Sequence, residues 1–267
     1  MANLNTLGLL GCGNMGGAIA RGVVSAKLLP VDNVSVYDST PAVTQPLETL
    51  GCNRAVSPEE LFQQADVVIL AVKPQVFKWL STPLTPQGGH KIIISVMAGI
   101  RIEKLRATFP DSFTIIRVMP NLGLAVGEGA TAIATDGLSE ESLQMAETIF
   151  RSCGLTVRVM EEQIDAVTGV SGSGPMYLFE FIQGLTQAGI NVGLPPETAY
   201  QLAIQTAKGS LKLLETSPET PSVWSARVRS PGGTTEAAQK VLERDGFHAT
   251  LIRAVAAAVA RSKELSA

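Results

Sequence analysis

The 267-residue chain is 45% hydrophobic and 17% charged, with 25 glycines and 15 prolines, a globular composition that excludes collagen-like, low-complexity and disordered classes. Its 21 basic and 24 acidic side chains leave a net charge of −3, so there is no positive excess to neutralise nucleic-acid phosphates or an anionic membrane. At roughly 150 residues per domain, the length suits one large domain or two modest ones.

Over the first 160 residues, short β-branched apolar runs alternate with helical segments, the pattern of a parallel sheet covered on both faces. Strands are predicted at Leu7–Leu10, Val34–Tyr37, Val67–Val72, Ile92–Val96 and Thr114–Val118. Before the third of these, Ser57-Pro58-Glu59-Glu60 supplies an N-cap, a proline at N1 and the acid of a capping box. Ala130–Ala134 and Leu155–Met160 extend the sheet, with a helix over Glu140–Arg151 between them. Beyond Met160 the strand signals fade. Tyr177–Ile190, Glu197–Leu214 and Phe247–Leu265 have helical spacing, and Thr216–Ser222 reads as a loop within this part.

The expected fold is therefore α/β: a doubly wound, mostly parallel sheet over residues 1–160, followed by an all-helical domain over 161–267. Helices as apolar as Pro175–Leu185 and Leu251–Val259 need more cover than one thin layer provides, so a homodimer or larger homo-oligomer is expected.

The first predicted strand runs into Gly11-Cys12-Gly13-Asn14-Met15-Gly16 and then a helix. Gly11 permits the tight turn, Gly13 lets backbone approach a pyrophosphate, and Gly16 lets helix and strand pack closely. The helix start then offers unpaired N–H groups and a positive dipole end to that anion. Asp38, 22 residues beyond Gly16, fits two roles: an acid on the adenine ribose that repels the extra phosphate of NADP, or a turn acid after a strand. Ser39 and Thr40 follow and suit that phosphate instead. Lys73-Pro74-Gln75 ends the third predicted strand, which makes Lys73 either a ligand contact or a solvated surface lysine. Met97-Ala98-Gly99 and Met119-Pro120-Asn121 end the next two strands, offering small groups and an amide to the same crevice.

Two glycine-rich segments stand in the helical half. Ser171-Gly172-Ser173-Gly174-Pro175 precedes an apolar helix and reads equally as a turn with an N-cap. Ser230-Pro231-Gly232-Gly233-Thr234-Thr235 also has a cap reading, but its successive N–H groups and three hydroxyls suit a carboxylate.

Cys12, Cys52 and Cys153 form no CxxC pair, and the only histidines, His90 and His248, lie in unrelated stretches. A disulfide framework, a metal site and a histidine triad are all disfavoured. The opening residues, MANLNTLGLLGCGNMGG, lack a basic export region, and no uncharged run approaches the ~18 apolar residues of a membrane span. A cytoplasmic location is expected.

Taken together, GLLGCGNMGGAIA at 8–20, ILAVKPQ at 69–75, DAVTGVSGSGPMY at 165–177 and RSPGGTTEAA at 229–238 resemble the pyrroline-5-carboxylate reductase family, across the whole chain. The resemblance implies a Rossmann domain followed by a helical half that interleaves with a partner chain, and reduction of Δ1-pyrroline-5-carboxylate to L-proline by NADPH, with NADH also open. It further implies that Gly11, Gly13, Asn14, Met15 and Gly16 hold the cofactor, with Lys73 and Pro74 near its ribose and nicotinamide. Ser230, Gly232, Gly233, Thr234 and Thr235 would hold the substrate, Thr235 assisting proton placement. Two departures stand out. Asn121-Leu122-Gly123 replaces the family's Asn-Thr-Pro, and Trp224-Ser225-Ala226-Arg227 replaces its Leu-Lys/Arg-Asp pattern.

Two rival readings make different demands on the sequence. A β-hydroxyacid dehydrogenase shares the glycine start but calls for a lysine on the central helix, and Pro175–Pro196 contains none. A dinucleotide-sensing module without turnover needs no carboxylate cup, yet both glycine-rich segments are present.

Overall fold

The computed structural model describes residues 4–80 and 90–266. Strands β1 (Leu7–Leu10), β2 (Val34–Tyr37), β3 (Asn53–Arg54), β4 (Val67–Leu70), β5 (Ile92–Ser95), β6 (Thr114–Met119), β7 (Gly129–Ala134) and β8 (Gly154–Val159) form one sheet in the order β3-β2-β1-β4-β5-β6-β7-β8. Helices α1 (Asn14–Ser25), α2 (Pro41–Thr49), α3 (Pro58–Gln64), α4 (Pro74–Leu80), α5 (Ile102–Arg106) and α6 (Glu140–Arg151) lie between the strands in sequence. The expected doubly wound sheet is present, and β1 and β4 are buried at every residue because both of their faces are covered.

Two features differ from the sequence reading. β3 is a two-residue strand of exposed polar side chains, so it carries no apolar alternation to announce it. β6 and β7 pair antiparallel, because only 120–128 join them and a parallel crossover needs a dozen or more residues. In that connection Asn121 caps a 3-10 turn over Leu122–Val126. Ser57 caps α3 as expected, its hydroxyl accepting the Glu60 N–H at 3.2 Å, but the box does not close on Ser57, because the Glu60 carboxylate accepts the Val56 N–H at 2.6 Å.

The core lies in two clusters. One joins Leu9, Ile19, Val23, Ile133, Ile149 and Phe150, and the other Leu61, Phe62, Val68, Ile93, Phe109 and Ile115. The later helices are α7 (Ile164–Val167), α8 (Gly174–Asn191), α9 (Pro196–Thr216), α10 (Pro221–Arg227), α11 (Thr234–Arg244) and α12 (Phe247–Ser266). The segment expected to be a loop over Thr216–Ser222 is shorter, since α9 includes Thr216 and Pro221 opens α10 at a helix-start position where its missing N–H costs nothing.

The chain divides into two compact units, and the first continues through Ser173 and also takes in the end of α12 from Ala257. That return is held by a buried 2.6 Å hydrogen bond from the Ser262 hydroxyl to Asp165 Oδ1. The second unit, Gly174–Ala256, is helical. Gly189 allows a close approach of α8 to α9, where a Cβ would lie 3.0 Å from that of Ala199. Its apolar side chains are largely bare: among the described residues only Ala199 and Ala203 of this unit are buried hydrophobics, while Phe179 is 61% exposed.

Candidate functional site

At the end of β1, Gly11 adopts φ +93°, and a Cβ there would sit 2.7 Å from backbone atoms of Ala71, just past β4. Gly16 seats α1 on this turn, since its Cβ would lie 1.9 Å from the Gly11 carbonyl oxygen. Gly13, the N-cap of α1, is different. It is exposed, has an ordinary φ of −62°, and a Cβ on it would meet nothing within 4 Å. Its backbone therefore faces open space beside the first turn of α1, which holds no acidic side chain and whose N–H groups lack intrahelical acceptors. Asn14 is exposed on that turn, and Met15 packs partly against the core. An anionic pyrophosphate fits this cradle in shape and charge. β2 and β4 flank β1, so the chain reverses its direction of build-up here, at the switch point where open α/β sheets bind ligands.

Asp38 braces the same turn. Its Oδ2 accepts the Cys12 N–H and its Oδ1 the Thr40 N–H, both at 2.9 Å. This is the turn-acid geometry; it uses about two of the carboxylate's four acceptor positions. Ser39 and Thr40 are exposed beside it. Burial, reinforced by the Asp38 charge, pushes the Cys12 thiol up to about 12. The residue is thus a neutral packing group rather than a nucleophile.

Lys73 follows β4 and is exposed, while Pro74 opens α4. Met97-Ala98-Gly99 leaves β5 at the same end of the sheet. Asn121 does not offer its carbonyl end to the crevice as expected, because Oδ1 accepts the N–H groups of Gly123 and Ala130, each at 3.1 Å. The Asn121-Leu122-Gly123 departure is thereby a structural cap.

The segment around Ser171 is wound rather than turned. Thr168–Gly172 forms a π-helical turn, and the Ser171 hydroxyl donates to the Val167 carbonyl at 3.2 Å. A Cβ on Gly172 would lie 2.8 Å from Met119 Cε, so the glycine admits the end of β6. Nothing in the glycine spacing distinguishes this from a loop, although π turns recur at functional sites.

The second glycine-rich segment forms a cup at the start of α11, within the second unit. Gly232 has φ +73°, and Gly233 lets the Ser230 hydroxyl sit close, since a Cβ there would fall 2.3 Å from that oxygen as it stands. Thr234 and Thr235 occupy the first two helical positions, and Ser230, Thr234 and Thr235 are all exposed. One residue was not singled out from the sequence: Glu236 Oε2 accepts the Gly232 N–H at 2.8 Å. The signal for it was an acid in the first turn, three residues after the N-cap, where such side chains reach back. Ahead of the cup, Arg227 lies 5.0 Å over the Trp224 ring and pairs with Glu219, so the departure at 224–227 gives α10 a local pair of its own.

A separate hollow of about 400 Å3 lies on the first unit, lined by apolar groups of Ala130, Ala132, Leu155, Val157, Val167 and Val170 and by none of the predicted site residues. Among the described residues, no cluster of histidine, cysteine and acidic side chains is arranged to hold a metal.

Comparison with known proteins bears on both halves. Residues 161–265 match the family model described as pyrroline-5-carboxylate reductase dimerisation, and residues 6–99 match one described as NADP oxidoreductase, coenzyme F420-dependent. The pyrroline-5-carboxylate reductase of Arabidopsis thaliana is 40% identical over 97% of this chain and 95% of its own length. That of Escherichia coli is 35% identical over 97% and 98%. Among solved structures, the Plasmodium falciparum pyrroline carboxylate reductase with NADP bound superposes with a TM-score of 0.89 at 30% identity, covering 99% of both chains. The Coxiella burnetii pyrroline-5-carboxylate reductase gives 0.90 at 31%, over 99% of this chain and all of that one.

Because a side chain at Gly13 meets only open space in the protein, Gly13→Val should fold normally yet occupy the cradle. We expect NADPH affinity, measured by fluorescence titration, to fall about tenfold or more with little change in melting temperature. Unchanged affinity would show that the turn does not hold the dinucleotide.

Proposed function

The chain belongs to the pyrroline-5-carboxylate reductase family, and on that premise we propose that it reduces Δ1-pyrroline-5-carboxylate to L-proline in proline biosynthesis, using NADPH as the donor with NADH also open. The observation that carries this reading is the presence, in one chain, of a glycine turn open to an anion at Gly13 and a hydroxyl-lined helix start at Ser230–Thr235. We assign residues 1–160 to dinucleotide binding and 161–267 to substrate binding and dimerisation; the family match beginning at residue 161 supports the division.

When bound, the reduced nicotinamide supplies the hydride that the substrate's imine carbon, the future C5 of proline, accepts. Gly11, Gly13, Asn14, Met15 and Gly16 hold the pyrophosphate on the α1 start. Asp38, Ser39 and Thr40 meet the adenine ribose, and Lys73 and Pro74 border the ribose and nicotinamide. Ser230, Gly232, Gly233, Thr234 and Thr235 take the substrate carboxylate. A protonated ring nitrogen makes the imine carbon a better acceptor, and we assign the Thr235 hydroxyl to positioning that proton. The protein's work is chiefly orientation of two bound molecules, which agrees with a site that contains no histidine or ionised thiol.

The working form is a homodimer or larger homo-oligomer. Supporting this are the dimerisation match, the bare apolar side chains of α8, and the exposed Leu155 and Val157 on one face of β8, since parallel strands are ordinarily covered on both faces. Three free, buried cysteines suit the reducing cytoplasm, the location included in this proposal. Among the described residues, no helix is long and apolar enough to cross a membrane.

Purified protein should oxidise NADPH only when pyrroline-5-carboxylate is present and release proline in equal amount; absence of turnover by the folded chain with either nicotinamide rejects the enzyme reading. Thr235→Val keeps the side-chain shape and deletes one hydrogen bond to a charged group, worth about 1.5–3 kcal/mol, so catalytic efficiency should drop roughly ten- to a hundredfold while cofactor affinity holds. Thr234→Val is the neighbouring control, and full efficiency in both variants removes the substrate assignment. In sedimentation at micromolar concentration the chain should run as a dimer or larger; an active monomer contradicts the oligomer.

A further inference from the structure

The cup already holds a carboxylate, and it is the protein's own. Glu236 Oε2 accepts the Gly232 N–H at 2.8 Å, one of the backbone donors assigned above to the substrate. The same oxygen lies 3.7 Å from Lys240 Nζ, one helical turn along α11 on the same face. A single position of the Glu236 carboxylate thus serves both contacts, across the mouth of the cup and within reach of an ammonium group. The side chain is about one-third exposed, so water can take over the carboxylate if it gives up the Gly232 N–H.

We propose that Glu236 is an affinity-determining residue for the substrate: its carboxylate competes with the substrate carboxylate for the Gly232 N–H and must give up that bond for the substrate to take it. The inference rests on the reading of Ser230–Thr235 as the substrate site. Two effects oppose the incoming anion, the occupied Gly232 donor and the repulsion of a second carboxylate a few ångströms away. Both vanish when Glu236 leaves the cup. Lys240, 3.7 Å from the same oxygen, offsets part of the Glu236 charge and so assists binding without touching the ligand.

The test is steady-state kinetics on the full chain, with proline binding measured by calorimetry in the presence of NADP+ as a readout independent of turnover. Glu236→Ala should lower KM for pyrroline-5-carboxylate roughly three- to tenfold and tighten proline binding to match, with kcat changed by less than about twofold. Glu236→Gln, which loses the charge but keeps an acceptor for Gly232, should shift both in the same direction and by less. Lys240→Ala should raise KM in the native background and do nothing once Glu236 is alanine, the signature of two residues acting as a unit. NADPH affinity and melting temperature report whether each variant is intact. Unchanged or weakened substrate and proline binding in both Glu236 variants, with Thr235→Val still raising KM, overturns the proposal. A silent Thr235→Val would instead overturn the substrate assignment, and this proposal with it.

Discussion

The seating of α1 on the end of β1 is the contact on which the nucleotide end of the molecule depends. A helix can start so close to a strand only where no Cβ intervenes, and a Cβ on Gly16 would lie 1.9 Å from the Gly11 carbonyl. That proximity points the first turn of α1 out of the end of the sheet and leaves its N–H groups facing open space. The other end of the helix is equally constrained, for a Cβ on Gly22 would fall 2.0 Å from the sulfur of Cys153. Close packing at both positions thus depends on glycine. Asp38 then fixes the loop from the other side through the Cys12 N–H. The buried cysteines are accordingly packing groups, which is why no sulfur chemistry need be invoked.

The second unit obeys a different constraint. Its helices bury almost nothing of their own, although α8 carries Phe179 and Phe181 and α9 carries Leu202 and Ile204, all exposed. Helices stabilised chiefly by packing need cover for their apolar faces, which is the ground for the oligomer proposed above. The cup at α11 belongs to this unit, whereas the glycine turn belongs to the first. On the assignment proposed above, cofactor and substrate are held by different compact units of the chain.

Much of this was legible in the residues. β1, β2 and α6 begin and end where the apolar runs and caps place them, and Gly11 and Gly16 of the turn serve the steric purposes that their spacing already implied. What escaped was whatever depends on partners distant in sequence or on local winding without a compositional mark. β3 has only two polar residues and exists because β2 offers an edge. The π turn at Thr168–Gly172 looks like a loop in sequence, since Gly172 is there to admit Met119 rather than to bend the chain. Asp38 was placed at the right corner but with its role open, and its bonds to Cys12 and Thr40 became visible only when β1 and β2 lay side by side. Glu236 was overlooked because an acid in a first helical turn is ordinary; its meaning comes from the donor that it occupies.

The central claim is that these two motifs serve one direct hydride transfer. The most direct measurement is to supply NADPH deuterated at nicotinamide C4 on the transferred face and to locate the label in the product by mass spectrometry and proton NMR. The account predicts proline carrying a single deuterium at C5 for each cofactor oxidised. Proline without deuterium at C5, or with hydrogen at that position drawn from solvent, would contradict it.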